Sequence, residues 1–326
     1  MLSLVTAACA SPATAPGPTS TRQGNTTAPS ETSSSVGSGT SSTTTTEAGG
    51  GTRRRGTGRA GVPAFSHVFV VLMENLGYSP ALATPGFASL ASRYASASDY
   101  YAVGHPSLPN YLAITSGGTW GVQSDCIDCY VDEPNLGTQL STAKFSWGAY
   151  FEGVPSACYL APYSSADYAG KHNPFRYYDD IRSSPALCAH LLPFGRLGPL
   201  LAGPAAKVPR FVWVTPNLCD DGHDCAPAVA ASWLNRFVAS VVASAAWQAG
   251  GVLFVTWDES ESGGRAGGRV LTLVISPGLR RGLKVAVSYT HYSLLATIED
   301  AFKLPLLGAA RSATPMSAFF RASPGQ

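Results

Sequence analysis

His67-Val-Phe-Val-Val-Leu-Met-Glu-Asn75 runs through six apolar residues without a break and then stops on a carboxylate and an amide. A strand with one face in water alternates apolar and polar residues. A run that is apolar at every position predicts a central strand covered on both faces, as in a parallel sheet. Comparable runs recur at 145–151, 211–215, 252–257 and 270–276, with helical patterns between them at 87–95, 108–115, 228–247 and 291–302. This alternation predicts an α/β fold, a three-layer α/β/α sandwich with a mostly parallel central sheet. No internal repeat is visible, and 259–268 and the long stretch 153–209 read as loops on one edge.

The chain has 326 residues, of which 45% are hydrophobic and 13% charged, with a formal net charge of +2. Five arginines against two glutamates in residues 1–60 account for that excess, so the remainder is close to neutral. Binding to nucleic acid through bulk charge is therefore excluded, and no apolar run is long enough to span a membrane. Residues 1–61 are Ser, Thr, Gly, Pro and Ala with few large apolar side chains, which predicts a disordered tether. Residues 62–326 form the expected single folded domain, acting as a monomer.

Met1-Leu-Ser-Leu-Val-Thr-Ala-Ala-Cys9 is similar to the end of a bacterial lipoprotein signal, in which the cysteine is lipidated. A lipid on Cys9 is the only membrane contact expected. The six other cysteines suit three disulfides in an oxidising compartment, hence a secreted or cell-surface protein. Cys126-x-x-Cys129 lacks the second pair a zinc site needs, and Asp125 and Asp128 beside it read as turn residues. Cys219 and Cys225 bracket a loop, and Cys158 and Cys188 pair by elimination.

Ligands of open α/β sheets bind beyond the carboxyl ends of the strands. Three of the apolar runs end there in polar residues: Glu74-Asn75, Pro216-Asn217 and Asp258-Glu259. Buried together, Glu74, Asn75, Asp258 and Glu259 would be best satisfied by a cation. Separately, they would be solvated or paired with Arg265 or Arg269. Gly104-His-Pro-Ser-Leu-Pro-Asn-Tyr111 puts Ser107 at the start of a helix, where it either caps the helix or faces a phosphoryl group held by the amides. Asn110 could donate to the same group. His105, His172, His223 and His291 fall at loop or helix-start positions suited to phosphate binding or proton transfer, whereas His67 and His190 read as structural.

In order, Glu74-Asn75, His105-Pro-Ser107-Leu-Pro-Asn110-Tyr, Lys171-His172, Pro216-Asn217, His223-Asp224, Trp257-Asp258-Glu259 and Thr290-His291-Tyr-Ser resemble the bacterial phosphoesterase family. That family comprises secreted acid phosphatases and phospholipases C of the alkaline phosphatase superfamily. The likeness extends over residues 65–307 and leans toward mycobacterial secreted acid phosphatases that act on phosphoinositides. It implies an alkaline phosphatase-like fold and Ser107 as nucleophile, since the nucleotide pyrophosphatase branch has a Thr before the same Pro-Asn pair. It further implies Glu74, Asn75, Ser107, Asp258 and Glu259 around one divalent metal ion. His223 and His291 are implied as proton donors, with Asn110, His105, Lys171, His172 and Asn217 binding substrate. An oxygen-rich set favours Mg2+ or Ca2+ over Zn2+ or Mn2+. The expected activity is that of an acid phosphomonoesterase working through a phosphoserine, its substrate a phosphate ester such as a lipid headgroup. The alternatives are a phospholipase C-type phosphodiesterase and a non-catalytic surface binding protein.

Overall fold

A computed structural model describes residues 61–261 and 264–321 of the chain; Cys9 and the expected tether up to residue 60 lie outside them. Ten strands run in chain order: β1 (Val68–Met73), β2 (Ala95–Ala97), β3 (Tyr100–Tyr101), β4 (Trp147–Phe151), β5 (Leu191–Pro193), β6 (Phe211–Thr215), β7 (Val252–Trp257), β8 (Thr272–Ile275), β9 (Lys284–Val285) and β10 (Tyr289–Thr290). Eight of them form one sheet in the order β5-β4-β6-β1-β7-β8-β2-β9, and β3 pairs with β10 in a small second sheet. β5, β4, β6, β1 and β7 are mutually parallel, while β8 runs against both neighbours. Helices flank this sheet, so the α/β class and the mostly parallel sheet are as the apolar runs predict.

β1 is fully buried along its length, between β6 and β7, which are also buried at every position. Each such side chain removed from water stabilises the fold by about 1.5–3 kcal/mol. The helix Pro227–Ala243 starts with Pro at its first position and buries Ala230, Trp233, Leu234, Phe237, Val238 and Val241, the spacing of one helical face. The apolar pattern over 228–247 predicts one helix, but the chain breaks at Ser244. Ser244 adopts an extended conformation, and its hydroxyl accepts from the Trp247 amide to cap a second short helix, Ala245–Gln248. The stretch 153–209 is not loop alone: it contributes the edge strand β5 and several short helices.

The helix Ser107–Ser116 is buried on every side, as a helix in the middle of a layered core must be. It ends at Gly117, with φ of +77°, where any side chain would collide with the Leu307 carbonyl. Three disulfides join Cys126–Cys129, Cys158–Cys188 and Cys219–Cys225, the pairings expected from the sequence. Among the described residues, no helix is long and apolar enough to cross a membrane.

Candidate active site

The carboxyl ends of β1 and β7 lie side by side, so Glu74-Asn75 and Asp258-Glu259 emerge together. The Asn75 amide donates to Asp258 Oδ1 at 2.9 Å, and Asn75 itself adopts a left-handed conformation with φ of +53° that turns the chain out of the strand. Beyond β6, the Glu74 amide donates to the Asp221 carbonyl at 3.0 Å and draws the loop 217–225 alongside.

Ser107, at the start of the buried helix, donates its hydroxyl to Glu74 Oε2 at 3.1 Å. Tyr111, one turn along, donates a short hydrogen bond to Glu74 Oε1. The His172 ring stacks on the Tyr111 ring, with centroids 5.3 Å apart and planes 4° from parallel. Its Nε2 lies 3.2 Å from Glu74 Oε2 and its Nδ1 3.2 Å from Asp221 Oδ2. Neither approach has hydrogen-bonding geometry, and His172 Nε2, Asp221 Oδ2 and Asp258 Oδ2 are buried atoms without a hydrogen-bond partner.

Electrostatics follow from that enclosure. Burial pushes the Glu74 carboxyl well above the usual carboxylate range, and the charges of Asp258 and Asp221 push it further. Burial likewise raises Asp221 and Asp258. His172 is held well below the ordinary histidine value by burial and by Lys171 and His223, so its ring is neutral. Three buried carboxylates and a neutral imidazole, several of their lone pairs facing no donor, are a site for a cation. Among the described residues, Glu74, His172 and His223 offer ligand atoms within 4.8 Å of one another. The residues present therefore fit a divalent metal ion.

On the other side of Ser107, the expected residues engage one another. His105 Nδ1 lies 2.6 Å from Glu259 Oε2. Burial and the nearby charges of Asp258 and Asp125 push the Glu259 carboxyl up to about 9. Asn110 Oδ1 accepts from the Val103 and Gly104 amides, and its Nδ2 donates to the Gly104 and Pro106 carbonyls and, at 3.4 Å, to Glu259. Asn110 thus folds the loop before Ser107 around itself, and its side chain is engaged by that loop's own backbone. Asn217 is used likewise: its Oδ1 accepts from the Cys219 and Asp220 amides and shapes the loop that presents Asp221.

His291 is fully buried, with Nε2 donating to the Asp258 carbonyl at 2.6 Å and Nδ1 accepting from the Tyr100 hydroxyl at 3.1 Å. Burial lowers its pKa to about 4. A neutral ring with both nitrogens engaged supports the end of β7, and the proton-donor role expected for it does not fit this position. His223 is half-buried, with Nδ1 on Asp224 Oδ1 at 2.6 Å and Nε2 3.1 Å from Lys171 Nζ. It lines a cavity of about 180 Å³ together with Glu74, Asn75, Asp221 and Trp257. Asp125 holds Lys171 at 2.9 Å and raises its ammonium pKa against the effect of burial. Arg269 lies over the Tyr78 ring, and His67 and His190 contact backbone carbonyls away from the site.

Asp221 and Tyr111 are the residues that sequence reasoning left without a role. Asp221 sits in Asp220-Asp-Gly-His-Asp224, where neighbouring acids look alike. The one available signal was that this loop directly follows the central strand β6. Tyr111 belongs to the quoted Ser107 block, one helical turn along from Ser107.

The fold is an α/β sandwich with a mostly parallel central sheet. Two solved structures share the fold. One is a protein of the alkaline phosphatase superfamily from Vibrio parahaemolyticus (12% identity, 76% of this chain and 68% of that one, TM-score 0.51). The other is the PsFucS1 sulfatase from Pseudoalteromonas (14% identity, 80% and 73%, TM-score 0.52). The chain belongs to the Phosphoesterase family, whose model matches residues 65–305. It is 30% identical to a phosphatidylinositol-3-phosphatase of Mycobacterium tuberculosis over 80% of this chain and 85% of that one. It is also 29% identical to a probable acid phosphatase of Kluyveromyces lactis, over 75% of this chain and 60% of the relative. The chain spans about three fifths of the length of the fungal relatives it matches.

Proposed function

We propose that this chain is an exported, metal-dependent phosphomonoesterase that works through a phosphoserine at Ser107. The observation that carries the reading is the Ser107 hydroxyl bonded to Glu74 at the N-terminus of a buried helix, inside a cluster of buried carboxylates in which Asp221 Oδ2 and Asp258 Oδ2 have no hydrogen-bond partner. Glu74, Asp221, Asp258 and His172 would hold the metal, with Ser107, Asn75 and His223 at its edge. Glu259, engaged by His105, is a ligand only after leaving that partner. The imidazole among the oxygens shifts the preference from Mg2+ or Ca2+ toward Mn2+ or Zn2+. When bound, the ion lowers the pKa of the serine hydroxyl and screens the approach of an anionic phosphate.

The chain's own residues supply the rest. Glu74 accepts from the Ser107 hydroxyl, orients it and is placed to take up its proton. Ser107 attacks phosphorus, the P–O bond to the leaving group breaks, and the helix N-terminus and Lys171 stabilise charge on the equatorial oxygens. Asp224 accepts from His223 Nδ1, so that Nε2, on the cavity side, accepts from the Lys171 ammonium, which is the source of the proton passed to the leaving oxygen. Water then cleaves the phosphoserine. The phosphatidylinositol-3-phosphatase relative supports a phosphorylated lipid headgroup as substrate, and the three disulfides support export. Ser107→Ala is expected to keep the native circular dichroism spectrum and lose p-nitrophenyl phosphate turnover; a variant that keeps its turnover removes Ser107 from the mechanism.

A further inference from the structure

Asp125 sits immediately before the Cys126–Cys129 disulfide, in a segment held rigidly from behind. The Tyr177 hydroxyl donates to the Cys126 carbonyl at 2.8 Å, and the buried Arg176 donates to the Ile127 carbonyl at 3.1 Å. So anchored, the Asp125 carboxylate reaches into the site. Its Oδ1 accepts from the Leu108 amide at 2.9 Å and its Oδ2 from Lys171 Nζ at 2.9 Å. Leu108 follows the nucleophile and Lys171 precedes His172. Both donors are therefore of the kind, and in the place, that an oxygen of a phosphoryl group on Ser107 would use. A carboxylate and one O–P–O edge of a phosphate present the same pair of acceptor oxygens.

We infer that Asp125 is an internal competitor that sets the affinity of this site for phosphate. Its carboxylate occupies the Leu108 amide and Lys171 when the site is empty, yields them to a phosphoryl group, and retakes them as inorganic phosphate leaves. A site with a metal ion, an ammonium and a helix N-terminus retains its dianionic product strongly, and a tethered anion on the same donors hastens release. The inference rests on the placement of the phosphoryl group at Ser107 given above. It makes Asp125 a determinant of both KM and turnover, in place of the simple turn residue its sequence context suggests.

The test is calorimetric titration of inorganic phosphate into the metal-loaded protein, as wild type and as Asp125→Asn, with steady-state kinetics and thermal melts on each. Asn keeps an acceptor for the Leu108 amide and removes the competing charge. Phosphate is expected to bind roughly tenfold tighter or more, the scale of one charge-assisted contact. KM should fall, and kcat should fall with it as product release slows. A residue that only caps the helix would lower the melting temperature and leave phosphate affinity where it was; that result, or weaker binding, overturns the proposal. Should Asp125→Asn melt below the assay temperature, Asp125→Glu carries the same test, since the longer side chain cannot span both donors in the same pose, and an unmoved affinity again refutes it. Lys171→Met in the Asp125→Asn background should abolish the gain. Retained turnover in Ser107→Ala would overturn the phosphoserine reading by kinetics alone, whereas an unmoved phosphate affinity in Asp125→Asn overturns only the competitor.

Discussion

Ser107 stands between two polar regions made of similar residues in opposite states. Toward His105, Asn110 and Glu259, donors and acceptors are matched: an imidazole meets a carboxylate, and one amide side chain serves two backbone N–H groups and two carbonyls. Toward Glu74, His172, Asp221 and Asp258, acceptors predominate, and three buried atoms have no partner. The first region lies on a loop whose own backbone supplies the missing groups. The second gathers Glu74 and Asp258 from the ends of buried strands with Asp221 from a loop and His172 from a short helix. The backbone amides of Asn75 and His223 serve one oxygen of each aspartate, while the other has no partner. A balanced polar region is scaffolding, and an acceptor-rich one in the same cleft is completed by a ligand.

The strongest way to break this distinction is Glu74→Gln. The amide oxygen accepts from one of the two hydroxyls, Ser107 or Tyr111, and the NH2 group donates to the other's oxygen, so the shape of the side chain survives while the charge goes. Turnover should fall by roughly 10²–10³-fold, as when one preorganised electrostatic group is removed. After chelation the variant should melt no lower than wild type, because it no longer buries an uncompensated carboxylate. In the loaded state the wild type should be the more stable of the two. Turnover assays and melts with and without chelator decide it: wild-type turnover, or a lower melting temperature in the chelated variant, would erase the contrast.

The fold was more legible in the sequence than the contacts within the site. β6 and β7 begin and end where their apolar runs do, because strands buried on both faces carry no charged residue inside them. The final helix, His291–Phe302, also matches its pattern residue for residue. The short strands β2 and β9 at one end of the sheet were invisible: Ala-Ser-Ala and Lys-Val carry no periodicity and pair only because a neighbouring strand offers them its backbone. The direction of β8 was equally hidden, since an apolar run reads the same in a parallel or an antiparallel pair. In the site, Glu74, Asp258 and Ser107 were legible from strand-end and helix-start positions. The partners of Asn110, Asn217 and His291 were not, since a polar side chain in a loop reads alike whether it faces substrate or its own backbone.

Asn110→Ala probes the balanced region and should have an intermediate effect. It leaves the Val103 and Gly104 amides without their acceptor, at about 1–3 kcal/mol for each that stays buried. A loss of stability in denaturant titration is expected, with a fall in turnover as the loop before Ser107 loosens. Metal affinity, measured by titration of the chelated protein, should hold. If affinity collapsed while stability held, Asn110 would belong to the ligand region and the division drawn at Ser107 would be misplaced.

The smallest expected effect lies far from the cleft, where Glu299 resembles the acceptor-rich region but is completed by a proton instead of a cation. Its Oε1 accepts from the Leu307 amide at 2.9 Å, while its Oε2 and Gln139 Oε1 are both buried without partners. A protonated Glu299 can donate to Gln139, which satisfies both atoms at once. Burial pushes this carboxyl up to about 8, from an ordinary value of 4.5. The native state therefore keeps the proton where the unfolded chain has lost it. The contribution to stability is complete below pH 4.5, declines as pH rises, and is gone once pH passes through 8. Glu299→Gln carries a permanent donor in the same place. Its melting temperature relative to wild type should climb by several degrees between pH 5 and 8 and then level off, as one group's linkage dictates. A difference that stays constant across that interval would mean that Glu299 is ionised in the native state, and that a buried carboxylate can persist here with neither proton nor cation.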